Sequence, residues 1–390
     1  MASFVSIPDE NPTRIDHAGF YRRWLSMIED MKYLQSYVDR VSGTNEEEWV
    51  PLWREAGENY ESKGDKLETE GKFQEARKCF LQARTYYSIG RFPGSISDMK
   101  KSISDDCNRA YKKSCTHLEP KVQEIIIQHK GHEIKCDLRV PSQKKQHAAV
   151  LIMCGADMFK EDRGWAGDFC IENDMVALVM DAPGTGDNLM PWKPESVSAW
   201  IAAIDYLASL PSVDPERIGA FGISRGGYSV MQLAGHYPKM VKAVVASAGH
   251  HFGYQMTEQE LLDYVEARSS RSQYKFGPKN GPLTFPEWSV EKENELYTQW
   301  ALPKQGVLDN ITMPILMING KKDHLAPIGN IYFMLENGPA LGREARIYPD
   351  AGHCAFKYFS DWAPASFRWL KEKLNRQTPK NNLKNLFNEP

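Results

Sequence analysis

Long hydrophobic runs are missing from this sequence of 390 residues. Its apolar stretches, such as residues 148–153, have the length of a strand and fall far short of the roughly 18 apolar residues that a membrane-spanning helix needs. The first residues, MASFVSIPDENPTR, contain no apolar core of the kind that a secretory signal carries. We therefore expect a cytoplasmic protein that does not associate with membranes.

An excess of charge of either sign is also missing, because 48 lysine and arginine residues face 51 aspartate and glutamate residues. This balance gives no overall attraction to nucleic acid or to an anionic membrane surface. Hydrophobic residues make up 42% of the chain and charged residues 25%, which excludes a wholly disordered protein. Since domains average about 150 residues, we expect two or three structural units.

Cysteine pairs at metal-binding spacing are absent, because the 7 cysteines are scattered and none forms a CxxC pair. Free thiols in a reducing compartment fit this usage better than a disulfide framework or a zinc site. Walker A and HExxH motifs do not occur, and residues 184–189 do not complete a GxGxxG motif. The sequence therefore predicts neither a cofactor nor a metal ion.

Helical periodicity dominates the first third of the chain. Apolar residues at spacings of three and four from Phe20 to Val38 predict one helix, and further helices are expected over about 46–68, 72–89 and 95–115. We assign residues 1–118 to an N-terminal helical cap domain. We expect no separate core for its aromatic side chains, which should pack on the rest of the protein: Trp24, Trp49, Trp53, Phe73, Phe80 and Tyr87.

After residue 118, apolar β-rich runs alternate with helix-compatible segments, which is typical of a mostly parallel sheet with helices on both faces. We predict an α/β core over residues 119–376 with a lid inserted at 252–310, followed by a polar tail at 377–390. A hairpin is expected around Lys130-Gly131. Further strands are expected at 148–153, 175–180, 218–222, 241–247, 314–318 and 345–348.

The strongest local signal is the segment Gly222-Ile223-Ser224-Arg225-Gly226, which follows a predicted strand and precedes a predicted helix. GxSxG in this context is typical of the nucleophile elbow of an α/β-hydrolase, where the turn is so tight that the flanking residues must lack bulk. A structural glycine-rich turn with a buried serine is the alternative. A serine nucleophile needs a histidine base and an acid that orients it. In this fold the acid follows the serine along the chain, and the histidine follows the acid.

Two loops after later strands supply those partners. Asp323 comes just past one predicted strand, and His353 follows the next. The carboxyl ends of parallel strands meet at one edge, where open α/β sheets place their active sites. We predict that Ser224 is the nucleophile, His353 the base and Asp323 the orienting acid. Asp350, three residues before His353, is an alternative acid.

The oxyanion that forms on acyl attack needs two N–H donors. We expect one from the backbone of Arg225, directly after the nucleophile. The other is expected from the loop CGADM after an earlier strand, where we assign Ala156. Asp157 and Met158 of the same loop are expected to line the substrate pocket.

His250 and His251 directly follow another predicted strand at the same edge. Adjacent residues in an extended segment point to opposite sides, which argues against a shared metal ion. We therefore expect these histidines to line the substrate pocket, with simple packing as an equal alternative.

Residues from about 71 to 370 resemble a known group: the FrsA-like esterases, dihydroxypseudooxynicotine hydrolase and the fungal yellowish-green-type polyketide hydrolases. The resemblance implies an α/β-hydrolase fold, the roles given above for Ser224, Asp323 and His353, and cleavage of esters or of the carbon–carbon bond of 1,3-dicarbonyl compounds. Where many members have Gly-Gly-x-Asp in the oxyanion loop, this chain has CGAD. The segments that carry the resemblance are GKFQEARKCFLQARTYYSIGRFP, CGADMFKED, MDAPGTGDN, GISRGG, GKKDHLAP and DAGHCAF.

These observations together predict a serine hydrolase that acts through an acyl-enzyme on a medium-sized carbonyl compound. We expect ester or 1,3-dicarbonyl carbon–carbon hydrolysis, in polyketide or secondary metabolism, without a cofactor. Two alternatives remain open: an acyl or polyketide transferase with the same triad, and a non-catalytic regulatory binding protein. The helical domain and residues 252–310 should roof a deep, largely apolar pocket, and the same helices could also form a homodimer.

Overall fold

The computed structural model describes residues 23–94, 97–269, 288–339 and 342–375. Within these residues, helices precede the first strand of the sheet. The apolar stripe that ends at Val38 does not form one continuous helix. The chain turns after residue 25, and Asp30 caps the next helix by accepting a hydrogen bond from the Tyr33 N–H. Phe20 lies outside the described residues. The helices are α1 (Met31–Val38), α2 (Glu46–Thr69), α3 (Phe73–Arg91) and α4 (Asp98–Cys115).

These helices bury a core of their own, contrary to our expectation. Trp53 and Tyr86 stack with ring centroids 6.2 Å apart inside a cluster drawn mainly from α1 to α4. Close packing of α2 on α3 makes this core: a side chain on Gly57 would overlap the ring of Tyr87. Most of the aromatic side chains are therefore buried against one another, although Phe73 remains 43% exposed.

Eight strands form the sheet in the described chain. They are β1 (Gln123–His129), β2 (His132–Arg139), β3 (His147–Met153), β4 (Met175–Met180), β5 (Val213–Ile223), β6 (Ala243–Ser247), β7 (Ile315–Gly320) and β8 (Arg343–Tyr348). Their spatial order is β1-β2-β4-β3-β5-β6-β7-β8. β1 and β2 form the predicted hairpin, β2 pairs antiparallel with β4, and the other neighbours pair in parallel.

Helices cover both faces of this sheet, which confirms the predicted fold class. Alternate residues of β3 belong to two separate buried clusters, one on each face. Trp200 packs in the first cluster, whereas Trp165 and Trp362 pack in the second. The helices are α5 (Gly164–Glu172), α6 (Val197–Ser209), α7 (Arg225–His236), α8 (Glu258–Ser269), α9 (Val290–Trp300), α10 (Gly329–Glu336) and α11 (Phe359–Asn375).

The segment between β6 and β7 contains α8 and α9. Part of the predicted lid, residues 270–287, lies outside the described residues, as does the predicted polar tail at 377–390. Among the residues that the structure describes, no helix combines the length and apolar character needed to cross a membrane.

A buried ion-pair network joins the helical layer to the loop after β3. Arg84 and Arg91 of α3 both reach Asp162, at 3.0 and 2.6 Å. Burial disfavours the Asp162 carboxylate, but the two guanidinium groups outweigh it and keep the pKa of Asp162 below its usual value. The Arg91 guanidinium also lies over the ring of Phe159 at 3.9 Å. These contacts hold the helices against the loop that leads into the candidate site.

Candidate active site

Ser224 occupies the sharp turn between β5 and α7, with φ +59° and ψ −120°. L side chains rarely adopt this backbone region, and such strain is concentrated at functional sites. Small neighbours make the turn feasible, because a Cβ on Gly222 would overlap the backbone of Gly226, and a Cβ on Gly226 would overlap the carbonyl of Met153. The Ser224 N–H donates to the Ser247 carbonyl at 2.7 Å, which fixes the turn against β6.

The structure brings Ser224, His353 and Asp323 into one hydrogen-bonded chain. Ser224 Oγ lies 2.9 Å from His353 Nε2, and His353 Nδ1 lies 2.8 Å from Asp323 Oδ2. An ionised carboxylate only accepts, so Nδ1 carries the hydrogen and Nε2 is free to accept from the serine hydroxyl. The alternative acid, Asp350, lies on the surface and binds Lys357 Nζ at 2.6 Å instead.

The second oxygen of Asp323 is held by the backbone of its own loop. Asp323 Oδ1 accepts from the N–H groups of Leu325 and Ala326, at 2.7 and 3.0 Å. Both oxygens of the carboxylate therefore have donors, so its orientation toward His353 is fixed.

Asn319 is a site residue that the sequence reasoning missed. Its side-chain amide donates to Asp323 Oδ2 and to the Ala326 carbonyl, both at 2.9 Å. Its Oδ1 accepts from the N–H groups of Gly320 and Cys354, at 2.9 and 3.1 Å. This buried amide thus ties the Asp323 loop to the His353 loop. The available signal was a polar residue near the end of the apolar run MPILMING.

Burial and charge act in opposite directions on the His353–Asp323 pair. Burial disfavours the imidazolium, but the adjacent Asp323 carboxylate outweighs it and raises the pKa of His353. Burial likewise disfavours the carboxylate, yet the imidazolium and the donated hydrogen bonds keep the pKa of Asp323 below its usual value. The pair therefore favours a histidine that takes up a proton readily.

The loop after β3 lies beside the serine. A Cβ on Gly155 would lie 3.2 Å from the Ile223 carbonyl oxygen and 3.4 Å from Ser224 Cβ, so glycine permits this close approach. Ala156, also in this loop, lines the same pocket as Ser224. Arg225 is the first residue of α7, so its backbone N–H has no acceptor within the helix.

The pocket beside Ser224 contains about 250 Å³ of empty space, including its open mouth. Its lining includes three charged side chains, Arg23, Arg163 and Asp157, of which Arg23 pairs with Asp157 at 2.7 Å. Arg23 shows that the N-terminal region contributes to the wall, whereas no described residue of 252–310 does. The lining residues are Arg23, Gly155, Ala156, Asp157, Met158, Arg163, Ile223, Ser224, His353 and Phe356.

His250 and His251 do not diverge as expected, and they are absent from the described lining of this pocket. His250 Nε2 and His251 Nε2 lie 2.7 and 3.0 Å from the same atom, Glu293 Oε1 in α9. The two side chains converge because His251 has φ +60°, so the segment is not extended there as we had assumed. Trp288 Nε1 donates to the other oxygen of Glu293 at 3.2 Å.

His250, His251 and Glu293 are also close enough together to hold a metal ion. Their ligand atoms lie within 4.8 Å of one another, and two imidazoles with one carboxylate form a familiar zinc ligand set. Burial and the neighbouring His250 lower the pKa of His251 to about 4, which keeps that ring neutral. The hydrogen bonds to Glu293 account for both imidazoles and connect α9 to the loop after β6.

Comparison with known proteins identifies a family and several curated relatives of this chain. The FrsA-like esterase family matches residues 23–331. Esterase FrsA of Vibrio vulnificus is 22% identical over 355 residues, covering 88% of this chain and 80% of the relative. The 2,6-dihydropseudooxynicotine hydrolase of Paenarthrobacter nicotinovorans is 23% identical over 249 residues, covering 63% of this chain and 62% of the relative. Dipeptidyl-peptidase 5 of Porphyromonas gingivalis is 30% identical over 191 residues, which are 46% of this chain but 25% of the peptidase.

Two solved structures share the fold over nearly the whole chain. The crystal structure of the 2,6-dihydroxy-pseudo-oxynicotine hydrolase has a TM-score of 0.72 and 20% identity, covering 91% of this chain and 96% of its own. AbyA5 has a TM-score of 0.70 and 17% identity, covering 92% and 99%. The family match extends over more than half of the residues, which confirms the resemblance noted in the sequence. The chain belongs to the FrsA-like esterase family of α/β-hydrolases.

Proposed function

We propose that this protein is a serine hydrolase that cleaves a medium-sized carbonyl compound through an acyl-enzyme. The observation that carries the proposal is the continuous chain from Ser224 Oγ to His353 Nε2 at 2.9 Å and from His353 Nδ1 to Asp323 Oδ2 at 2.8 Å. The strained backbone of Ser224 and the family match support it. A binding protein would have no need to maintain this strain and this alignment together.

The proposed reaction begins when Ser224 Oγ attacks the substrate carbonyl and His353 Nε2 takes the hydroxyl proton. The Asp323 carboxylate stabilises the imidazolium, and the N–H groups of Ala156 and Arg225 donate to the oxyanion. Collapse of the tetrahedral intermediate expels the leaving group, which takes the proton from His353. Water then attacks the acyl-enzyme with His353 as base, releasing a carboxylic acid and restoring Ser224.

The bond that is cleaved is an ester or the carbon–carbon bond of a 1,3-dicarbonyl compound. In an ester the leaving group is an alkoxide, whereas in the dicarbonyl compound it is an enolate that is protonated on carbon. The names of the relatives, esterases and a hydrolase, support hydrolysis over transfer. A role in polyketide or other secondary metabolism is proposed on the sequence resemblance alone.

Labelling with a fluorophosphonate, followed by mass spectrometry of peptides, tests the nucleophile. We expect one phosphonyl adduct on Ser224 and none in Ser224→Ala, whose turnover should fall by on the order of 10⁴–10⁶. Ser209→Ala, a surface change near the end of α6, is the matched control. Folded wild-type protein that does not react would favour the binding-protein alternative.

Product analysis distinguishes the reactions. A panel of esters, thioesters and 1,3-diketones is incubated with and without an added alcohol. Release of a free acid supports hydrolysis, and a shortened ketone beside it identifies carbon–carbon cleavage. Exclusive formation of the alcohol adduct would overturn the proposal in favour of a transferase.

A further inference from the structure

Arg163 is a buried cation that the proposed mechanism does not use. It ends the short helical turn Lys160–Arg163 after β3, and the residue is 2% exposed. Among the described residues, its Nε has no hydrogen-bond partner. Its Nη1 contacts the sulfur of Met158 at 3.6 Å, and its guanidinium lies 6.0 Å from the ring of Trp165. Neither neighbour neutralises the charge.

Nearby arginines differ from Arg163 because each of them pairs with a carboxylate. Arg84 and Arg91 share Asp162, and Arg23 pairs with Asp157. Each of these guanidinium groups has a carboxylate within 3.0 Å. A buried guanidinium is costly unless it is paired, and the described residues provide no carboxylate within ion-pair distance of Arg163.

The position of Arg163 indicates where its partner comes from. Arg163 lines the same pocket as Ser224 and His353. The other two charges of this lining, Arg23 and Asp157, compensate each other. The pocket beside the serine therefore carries one uncompensated positive charge, and it is open at its mouth to a ligand.

We propose that Arg163 binds a carboxylate of the substrate, so that the substrate is an acyl compound with an acidic group near the carbonyl that Ser224 attacks. This inference rests on the proposed function. The planar guanidinium fork matches a carboxylate with two parallel hydrogen bonds, and the low exposure strengthens that pairing. Arg163 would then determine specificity and would take no part in proton transfer.

The test uses two fluorophosphonates of equal chain length, one ending in a carboxylate and the other in the corresponding methyl ester. The rate constant for phosphonylation of Ser224 is measured for both probes in the wild type, Arg163→Gln and Arg163→Lys. We expect the wild type to react at least about tenfold faster with the carboxylate probe, and Arg163→Gln to lose this preference. Arg163→Lys keeps the charge but not the fork, so it should retain part of the preference.

Each outcome bears on one of the two proposals. No preference for the carboxylate probe in the wild type overturns the inference without any variant. An equal loss with both probes in Arg163→Gln also overturns it, because Arg163 would then support the site in general. Failure of both probes to label the wild type counts against the serine mechanism itself. Melting curves of the variants should show no loss of stability, since the substitutions remove or reposition an unpaired buried charge.

Discussion

Two histidine–carboxylate clusters lie at the carboxyl ends of neighbouring strands, β7 and β6. In the first, the Asp323 carboxylate binds one imidazole, that of His353, whose other nitrogen faces Ser224 Oγ. In the second, His250 and His251 share one oxygen of Glu293. Because the Asp323 carboxylate interacts with one imidazole, it raises the pKa of His353. Where two imidazoles share a carboxylate, burial and mutual repulsion dominate and lower the pKa of His251 to about 4.

Residue types alone therefore do not define a catalytic centre in this protein. The first cluster ends in a nucleophile on a strained turn and opens into a pocket. The second ends in the indole of Trp288 and joins a helix to a loop. We therefore expect changes in the first cluster to reduce turnover and changes in the second to reduce stability.

The largest expected effect is that of Asp323→Asn. The amide cannot stabilise the imidazolium or hold the same histidine tautomer, so kcat should fall by about 10⁴-fold. Steady-state kinetics on a responsive ester measure this. Asp350→Asn is the matched control, because Asp350 binds Lys357 on the surface and should leave kcat unchanged. A larger loss in Asp350→Asn than in Asp323→Asn would reverse the assignment of the acid.

Asn319→Ala should have the next largest effect. Without the amide, the Asp323 and His353 loops lose their common anchor, and kcat should fall by about 10- to 100-fold through misplacement of the imidazole. KM should change little, because Asn319 is absent from the pocket lining.

A matched buried asparagine separates activity from stability. Asn330→Ala removes a side chain that accepts from the Phe252 N–H in the second cluster. Both variants should lose about 1–3 kcal/mol of unfolding free energy, since each leaves buried N–H groups unpaired. Equal losses of kcat in the two variants would contradict the division between the clusters.

The pH dependence of kcat/KM should reflect the raised pKa of His353. Only the neutral imidazole can accept the serine proton, so activity should rise with pH to a midpoint above the ordinary value of about 6.5. In Asp323→Asn the residual activity should have a lower midpoint, because burial then acts without the carboxylate. A wild-type midpoint at or below the ordinary value would show that the carboxylate does not control this histidine.

Much of this site could be predicted from the sequence, because the signals were local. The elbow around Ser224 depends on adjacent glycines, and Asp323 and His353 each follow an apolar run. In the structure, Asp323 and His353 lie in the loops after β7 and β8, as the predicted order of strands requires. The strands of the core were likewise predicted within a few residues, except that β5 begins at Val213, well before the predicted start.

The remaining features depend on contacts between distant segments. Asn319 matters because it bridges two loops, and Arg163 because no carboxylate of the described chain reaches it. His250 and His251 converge because His251 has a positive φ, which the neighbouring sequence does not predict. The separate helical core depends on close packing at Gly57, which hydrophobic periodicity does not predict.

The smallest expected effect concerns stability, and it has opposite signs in the two clusters. The pKa of His251 is lower in the folded protein than in the unfolded chain, so the unfolded state binds more protons between about pH 4 and 6.5. The unfolding free energy should therefore fall as the pH falls through this window, by on the order of 1–3 kcal/mol. The pKa of His353 is raised, so its contribution is present at low pH and is lost only as the pH rises through the folded value.

Urea unfolding of the wild type and His251→Gln at several pH values tests this difference. Glutamine can still donate to Glu293 but does not titrate, so the variant should lose part of the decline between pH 6.5 and 4 while its kcat stays near that of the wild type. Ser224→Ala, which leaves both histidines in place, should keep the wild-type decline. An unchanged decline in His251→Gln would mean that other groups control acid stability, and that burial beside His250 does not hold His251 neutral.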